Sequence, residues 1–165
     1  MRKTTYFIAA LILLGAGFFF AGRSSLFSAS SHALLISPRI AEFGPSVRIG
    51  GAYIPVEVVR DATAIAKGLS GRASLERERG MLFIFPRADR YRFWMPDMHF
   101  PIDIIWIEGG KVAALTENVS PEFDPAHPRF YTPPKPVQYV LEVNAGFTRA
   151  KGIQAGDPAA FSHIE

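Results

Sequence analysis

Gly68–Ile107 reads GLSGRASLERERGMLFIFPRADRYRFWMPDMHFPIDIIWI, and this stretch decides the fold. Two apolar runs, Met81–Phe85 and Ile102–Ile107, flank a Trp-Met-Pro corner at Trp94–Pro96. Each run is too short for a buried helix and is bounded by Gly or Pro, the pattern of a buried strand. Pro86 is expected to stop the first run, and Pro96 to stop a strand over Arg90–Met95. Ile102–Ile107 then turns through Glu108-Gly109-Gly110-Lys111 and returns along Val112–Thr116 as a hairpin.

Upstream, Gly50-Gly51 separates Val47–Ile49 from Ala52–Arg60, a second hairpin signal. Ile54, Val56 and Val58 share one face of that second run. Pro55 lies inside it, which predicts an edge strand or a strand that begins after the proline. Asp61 is placed to cap a short helix, Ala62–Lys67, that Gly68 ends. Leu69–Arg79 reads as irregular. Downstream, Ser120–Pro136 is Pro-dense and reads as a stiff surface crossover, with Pro133–Pro136 as a PxxP-like alternative. Tyr139–Val143 is a further strand. Asn144 is expected to cap a helix over Ala145–Lys151, and Gly156-Asp157 to turn the chain back for closure. No βαβ alternation and no Gly-rich phosphate loop is apparent, so Rossmann-type cofactor binding is not expected.

The chain has 165 residues, 48% hydrophobic and 20% charged, enough for one globular domain with a real core but not two. Aromatics make up 13%, with 14 Phe, which favours strands. The sequence has no Cys, which excludes disulfides, thiolate metal sites, iron–sulfur clusters and a thiol nucleophile. The formal charge of +3 arises upstream of the domain. Four of the 18 bases (Arg2, Lys3, Arg23, Arg39) precede Glu42, leaving 14 bases against 15 acids, a net charge of −1. A nucleic-acid partner needs a basic excess in the domain itself, so none is expected.

Arg2 and Lys3 precede the uncharged run Tyr6–Ala21, YFIAALILLGAGFFFA. A basic start followed by an apolar run is the order of an export signal. Residues 1–33 are expected to be a signal peptide cleaved after Ala33 or earlier, or a retained N-terminal membrane anchor. Either places the domain outside the cytoplasmic membrane, periplasmic or otherwise extracytoplasmic. The membrane is then a partner only if the segment stays. Residues 34–45 read as a linker, and residues 46–165 as the domain.

Asp103 lies among Pro101, Ile102, Ile104, Ile105 and Trp106. Strand alternation puts it on a face with Ile105 and Ile107, opposite Ile102, Ile104 and Trp106. A carboxylate there needs a partner. Arg72 is the expected one, because a guanidinium grips a carboxylate with two parallel hydrogen bonds. The pair reads first as structural and second as a perturbed acid in a cleft. Glu142, in the strand Tyr139–Val143, is expected to face solvent. Convergence of Glu142 with Asp103 would instead suit a hydrolase. Met95, Met98 and His99 offer thioether and imidazole ligands that suit Cu(I), unless the methionines simply fill core beside Trp94. The histidines show no HxxxH spacing, and no GxSxG elbow is present.

A set of short motifs runs through this pattern: Gly68-Leu69, Gly71-Arg72, Leu75, Gly80-Met81-Leu82-Phe83, Phe85-Pro86, Phe93-Trp94-Met95 and Pro101-Ile102-Asp103. It continues through Glu117-Asn118, Tyr139-Val140-Leu141-Glu142, Ala145-Gly146, Gly152 and Gly156-Asp157. Together they resemble the domain of unknown function 192 family, small proteins of bacteria and archaea, over roughly Ile54–Phe161. Pro96-Asp97 stands where that family often has Lys-Asn or Lys-Gly, so no role of that Lys carries over. The resemblance implies a β-sandwich or barrel-like domain, often behind an export or anchor segment. It implies no established activity.

The expected fold is mainly β: a compact β-sandwich or barrel-like single domain with two short helices, preceded by an N-terminal apolar targeting or anchor helix. The expected role is non-catalytic binding of a small ligand, glycan or protein partner in the cell envelope. Arg72, Trp94, Met95, Asp103 and Glu142 are expected to line the pocket, with no cofactor, metal or catalytic residue assigned. The alternatives are a hydrolase using Asp103 and Glu142, and Cu(I) binding through Met95, Met98 and His99.

Overall fold

Period-two apolar runs separated by Gly turns give seven strands and two short helices over residues 44–165, the residues described by this computed structural model. The expectations for residues 1–33 and for nearly all of the linker lie outside the described residues. β1 (Ser46–Ile49) and β2 (Ala52–Val59) form the Gly50-Gly51 hairpin, and α1 (Ala62–Lys67) follows. Then come β3 (Gly80–Asp89), β4 (Ile102–Glu108), β5 (Lys111–Val119), β6 (Val137–Asn144), α2 (Phe147–Lys151) and β7 (Ala159–Ser162).

All seven strands belong to one sheet, ordered β5-β4-β6-β3-β2-β1-β7. Its two ends approach each other. Val112 N–H donates to the Asp157 carbonyl at 2.9 Å, and Ala159 N–H to the Gly110 carbonyl at 2.8 Å. The sheet is thus curled into a half-barrel, the barrel-like one of the two expected architectures; a sandwich of two facing sheets is not formed. Residues from all seven strands, among them Ile49, Ile54, Leu82, Ile105, Val112, Leu141 and Ala159, pack together inside the curl. Phe147 and Ile153 join them from the α2 region. The other face carries Met81, Phe83, Phe85, Ile102, Ile104, Trp106, Val137 and Val140. Leu69 and Met95 cover it from the connecting loops. Both faces of β4 are therefore buried, which is why its sequence is almost continuously apolar.

Several expectations need correction. β2 is an interior strand, not an edge. It pairs with β1 through Ala52–Pro55 and with β3 through Val56–Val59. Pro55 sits where the strand changes partners, so its missing N–H interrupts neither ladder. The β2–α1–β3 connection joins parallel neighbours, a crossover of the βαβ kind that the sequence did not reveal; a parallel pair requires such a connection. Pro86 does not stop β3. It is absorbed in an irregularity of the β3–β6 register between Ile84 and Asp89. Arg90–Met95 is not a strand, apart from a two-residue bridge in which Phe93 and Tyr131 exchange backbone hydrogen bonds of 2.8 Å.

The helix ends divide likewise. Asp61 caps α1 as expected, its Oδ1 accepting from Ala64 N–H at 2.8 Å. Asn144 does not cap α2. Its side-chain amide donates to the carbonyls of Leu75 and Glu76. The N-cap of α2 is Gly146, left-handed at φ 81° and without a side chain to cap with.

Candidate functional site

Asp103 supplies the missing cap from 45 residues away. Its Oδ2 accepts from Thr148 N–H at 3.1 Å and from Thr148 Oγ1 at 2.7 Å. Its Oδ1 accepts from Asn118 N–H at 2.9 Å. That last donor exists because β5 bulges. Ile102 pairs with Val119 and Ile104 with Thr116, so Glu117 and Asn118 together oppose Asp103 alone. Three hydrogen bonds make this fully buried carboxylate affordable. Thr148 Oγ1 also lies 2.8 Å from Glu117 Oε1. Asp103 does have the partner its surroundings demand, but the partner is not Arg72.

Arg72 pairs elsewhere. Its two terminal nitrogens each donate at 2.8 Å to the Glu57 carboxylate on β2. The side chains are 37% and 48% exposed. The Arg72 hydrogen bond holds the Glu57 carboxyl below its ordinary range. The expected Arg72–Asp103 contact is therefore overturned, and neither residue is among those that line the cleft at Trp94.

Trp94, Met95 and Glu142 do come together. They line a cleft of about 210 Å³ over the outer face of the sheet. Phe83 and Phe85 of β3 contribute to its wall, as do Ile65–Lys67 at the end of α1. Gly68–Ser70 and Tyr91–Met98 supply the loops around it. Those loops are stitched to each other: Ser70 Oγ donates to the Pro96 carbonyl at 2.8 Å, and Gly71 N–H to the Asp97 carbonyl at 2.8 Å. Gly71 adopts φ 75°, where a side chain would be strained and its Cβ would meet Asp97 Oδ2 at 3.1 Å. Edge-to-face contacts fix the aromatic wall. Phe93 lies 5.1 Å from Phe83 and 5.4 Å from Trp106, and Tyr91 stacks on Phe85 at 3.6 Å. Trp94 is 46% exposed and stacks on Phe130.

Glu142 is the polar anomaly of this cleft. The β6 register sets it beside Met81 of β3 and Ile104 of β4. It is only 6% exposed, contrary to the expectation that it faces solvent. No hydrogen bond or ion pair from another described residue reaches its carboxyl, and burial raises that group to about 8.

The same register settles the two-carboxylate hydrolase. Asp103 pairs with Val143, which points inside the curl, while Glu142 pairs with Ile104 on the outer face. The carboxyls stand on opposite sides of the sheet and cannot flank one bond. Nor is the Met95, Met98, His99 set assembled around the cleft. Both methionines line it, whereas His99 does not and instead contacts Asp97 Oδ1 at 3.3 Å.

Residues that sequence reasoning passed over surround these. A second, more polar cavity of about 370 Å³ adjoins Met95, formed with Ser120, Glu122, Phe123, Asp124, His127, Arg129 and Tyr131. In it His127 Nδ1 lies 3.0 Å from Asp124 Oδ2, and that contact lowers the Asp124 carboxyl. The signal was three aromatics, Phe123, Phe130 and Tyr131, in a loop otherwise full of Pro. Arg92 stands over Phe130 at 3.9 Å. Among the described residues no helix is long and apolar enough to cross a membrane.

A family profile described as Uncharacterized ACR, domain of unknown function 192, matches residues 46–161. The chain belongs to that family. Two solved structures are similar to this member of the domain of unknown function 192 family. One, from Sinorhizobium meliloti and provisionally described as a transcription regulator, is 28% identical with a TM-score of 0.65. The match covers 72% of this chain and 94% of that one. The other, a protein of unknown function from Novosphingobium aromaticivorans, is 29% identical with a TM-score of 0.64. It covers 70% of this chain and 83% of that one. No curated protein matches this chain.

Proposed function

We propose that this domain of unknown function 192 member is a non-catalytic binding module of the cell envelope that takes a small ligand into the Glu142 cleft. The observation that carries the reading is Glu142 itself. Desolvation of this carboxyl, which receives no hydrogen bond from another described residue, costs several kcal/mol of folding stability above about pH 8, and a ligand reaching its oxygens from the cleft would satisfy it. The cleft has the ordinary make-up of a ligand site: mostly apolar walls, aromatic rings and one convergent polar group. At about 210 Å³ it is smaller than the roughly 300–1,000 Å³ of sites for drug-sized molecules, so the ligand is small.

A binding role also fits the positions of the reactive side chains. The two carboxyls considered for hydrolysis lie on opposite faces, and the Ser70 hydroxyl is engaged with the Pro96 carbonyl. The envelope setting rests on the order of Arg2, Lys3 and Tyr6–Ala21 in the sequence. The regulator description of the Sinorhizobium meliloti protein is not transferred as DNA binding. From Glu42 onward 14 bases face 15 acids, which leaves no net basic excess for a phosphate backbone.

A fragment screen by methyl NMR on the full-length chain tests the reading. Ligands should move the Met95 and Met98 methyl signals and change Trp94 fluorescence, and Trp94→Ala should weaken them. A screen in which binders perturb only residues remote from this cleft would sink it.

A further inference from the structure

We infer that the ligand of the Glu142 cleft is a small organic cation, an aliphatic amine whose ammonium group binds the Glu142 carboxylate. This deepens the proposed binding function and rests on it. The walls carry aromatic rings and polarisable sulfur: Phe83, Phe93 and Trp94 and the Met95 and Met98 thioethers. Ring faces attract cations, and most strongly where water is excluded. The buried carboxyl of this cleft, Glu142, receives no hydrogen bond from another described residue, so its acceptor capacity is available to a ligand. The Ser70 hydroxyl already donates to the Pro96 carbonyl. An anion placed beside Glu142 would meet a carboxyl, while the two cations of the lining, Lys67 and Arg92, are exposed.

The charges around Glu142 come from few elements. The buried residues that β3 and β4 present on this side, Met81, Phe83, Phe85, Ile102, Ile104 and Trp106, are all uncharged. α1 contributes Lys67, and the loop after β3 contributes Tyr91 and Arg92. Lys67 and Arg92 are exposed, and Arg92 is drawn 3.9 Å from the Phe130 ring. Entry of an ammonium therefore meets one buried counter-group. Burial raises Glu142 to about 8, so the carboxyl is mostly protonated at neutral pH. Binding exchanges that proton for the cation: the carboxyl loses H⁺ to solvent, and the ammonium takes its place.

Isoamylamine, isoamyl alcohol and isovalerate share one shape and differ in charge. Titrated calorimetrically into the full-length chain, the amine should bind at least about tenfold tighter than either of the others, a difference typical of one charge-assisted hydrogen bond. Its affinity should rise by about tenfold per pH unit up to about pH 8, with close to one proton released per amine bound. Glu142→Gln should remove the preference for the amine while leaving the alcohol within about twofold. The isostere comparison needs only the parent protein, so it holds even if the variant folds poorly. Alcohol or isovalerate binding at Trp94 as tightly as the amine would overturn the cation assignment and leave the cleft reading intact. No binding by any of the three, with Met95 and Met98 unmoved, would overturn both.

Discussion

Replacing Glu142 by Gln should stabilise the domain, and increasingly so as the pH rises. The Glu142 carboxyl ionises near 4.5 when the chain is unfolded and near 8 in the folded protein, because burial disfavours its charge. Between those values the folded state binds more protons than the unfolded state, so stability falls as pH increases. The cost is absent below about 4.5 and complete above about 8. At about 1.36 kcal/mol per pH unit the full span is on the order of 5 kcal/mol, about 4 of it between pH 5 and pH 9. Gln occupies nearly the same space and never ionises, so the variant lacks this slope. Urea unfolding of both proteins at intervals from pH 5 to pH 9 measures the difference directly. The curves should nearly coincide at pH 5 and diverge by several kcal/mol at pH 9. Parallel curves over the whole range would refute a buried, unpartnered carboxyl and with it the basis of the ligand site.

Thr148→Val removes the hydroxyl that donates to Asp103 at 2.7 Å and should cost about 1.5–3 kcal/mol, the range for a hydrogen bond to a charged group; an unchanged urea midpoint would count against Asp103 as the anchor of α2. Arg72→Met breaks a pair that is roughly half exposed and should cost less than about 1 kcal/mol, whereas a loss of several kcal/mol in thermal or urea unfolding would mean that the pair is buried after all. Gly80→Ala puts a Cβ 2.7 Å from Leu141 Cδ1 and 2.8 Å from the Glu142 carbonyl; the strain of parting β3 from β6 should cost about 1–3 kcal/mol and lower ligand affinity, and a neutral result would show that the strands tolerate separation.

Strand positions were legible where both faces or a turn left a mark. Ile102–Ile107 and Gly50-Gly51 gave β4 and the first hairpin, and Asp61 with Gly68 gave both ends of α1. Alternation correctly set Asp103 on the face of Ile105 and Ile107. It could not name Thr148 as the partner, because that contact depends on a β5 bulge and on a helix start far along the chain. Arg72 was the more conspicuous candidate, yet β2 carried an acid, Glu57, within its reach. Glu142 was misjudged for a related reason. A single acid in an apolar strand faces solvent unless loops cover that face, and Leu69 and Met95 belong to loops without periodicity. The aromatic patch at Trp94 and Phe130 was hidden in the same way, one half in each of two irregular segments.

The two carboxyls on opposite faces of β4 and β6 also guard against mispairing. A slip of one residue between these strands would turn Asp103 to the outer face, beside Glu142. It would break all three hydrogen bonds that hold Asp103, release α2 and set two acids together in an apolar recess. An all-aliphatic β4 would lose little by the same shift, since apolar side chains would fill either face. Asp103 therefore sets an energetic penalty on the shifted register. A carboxyl whose three donors exist in one alignment alone is what makes the wrong alignment of this apolar strand costly.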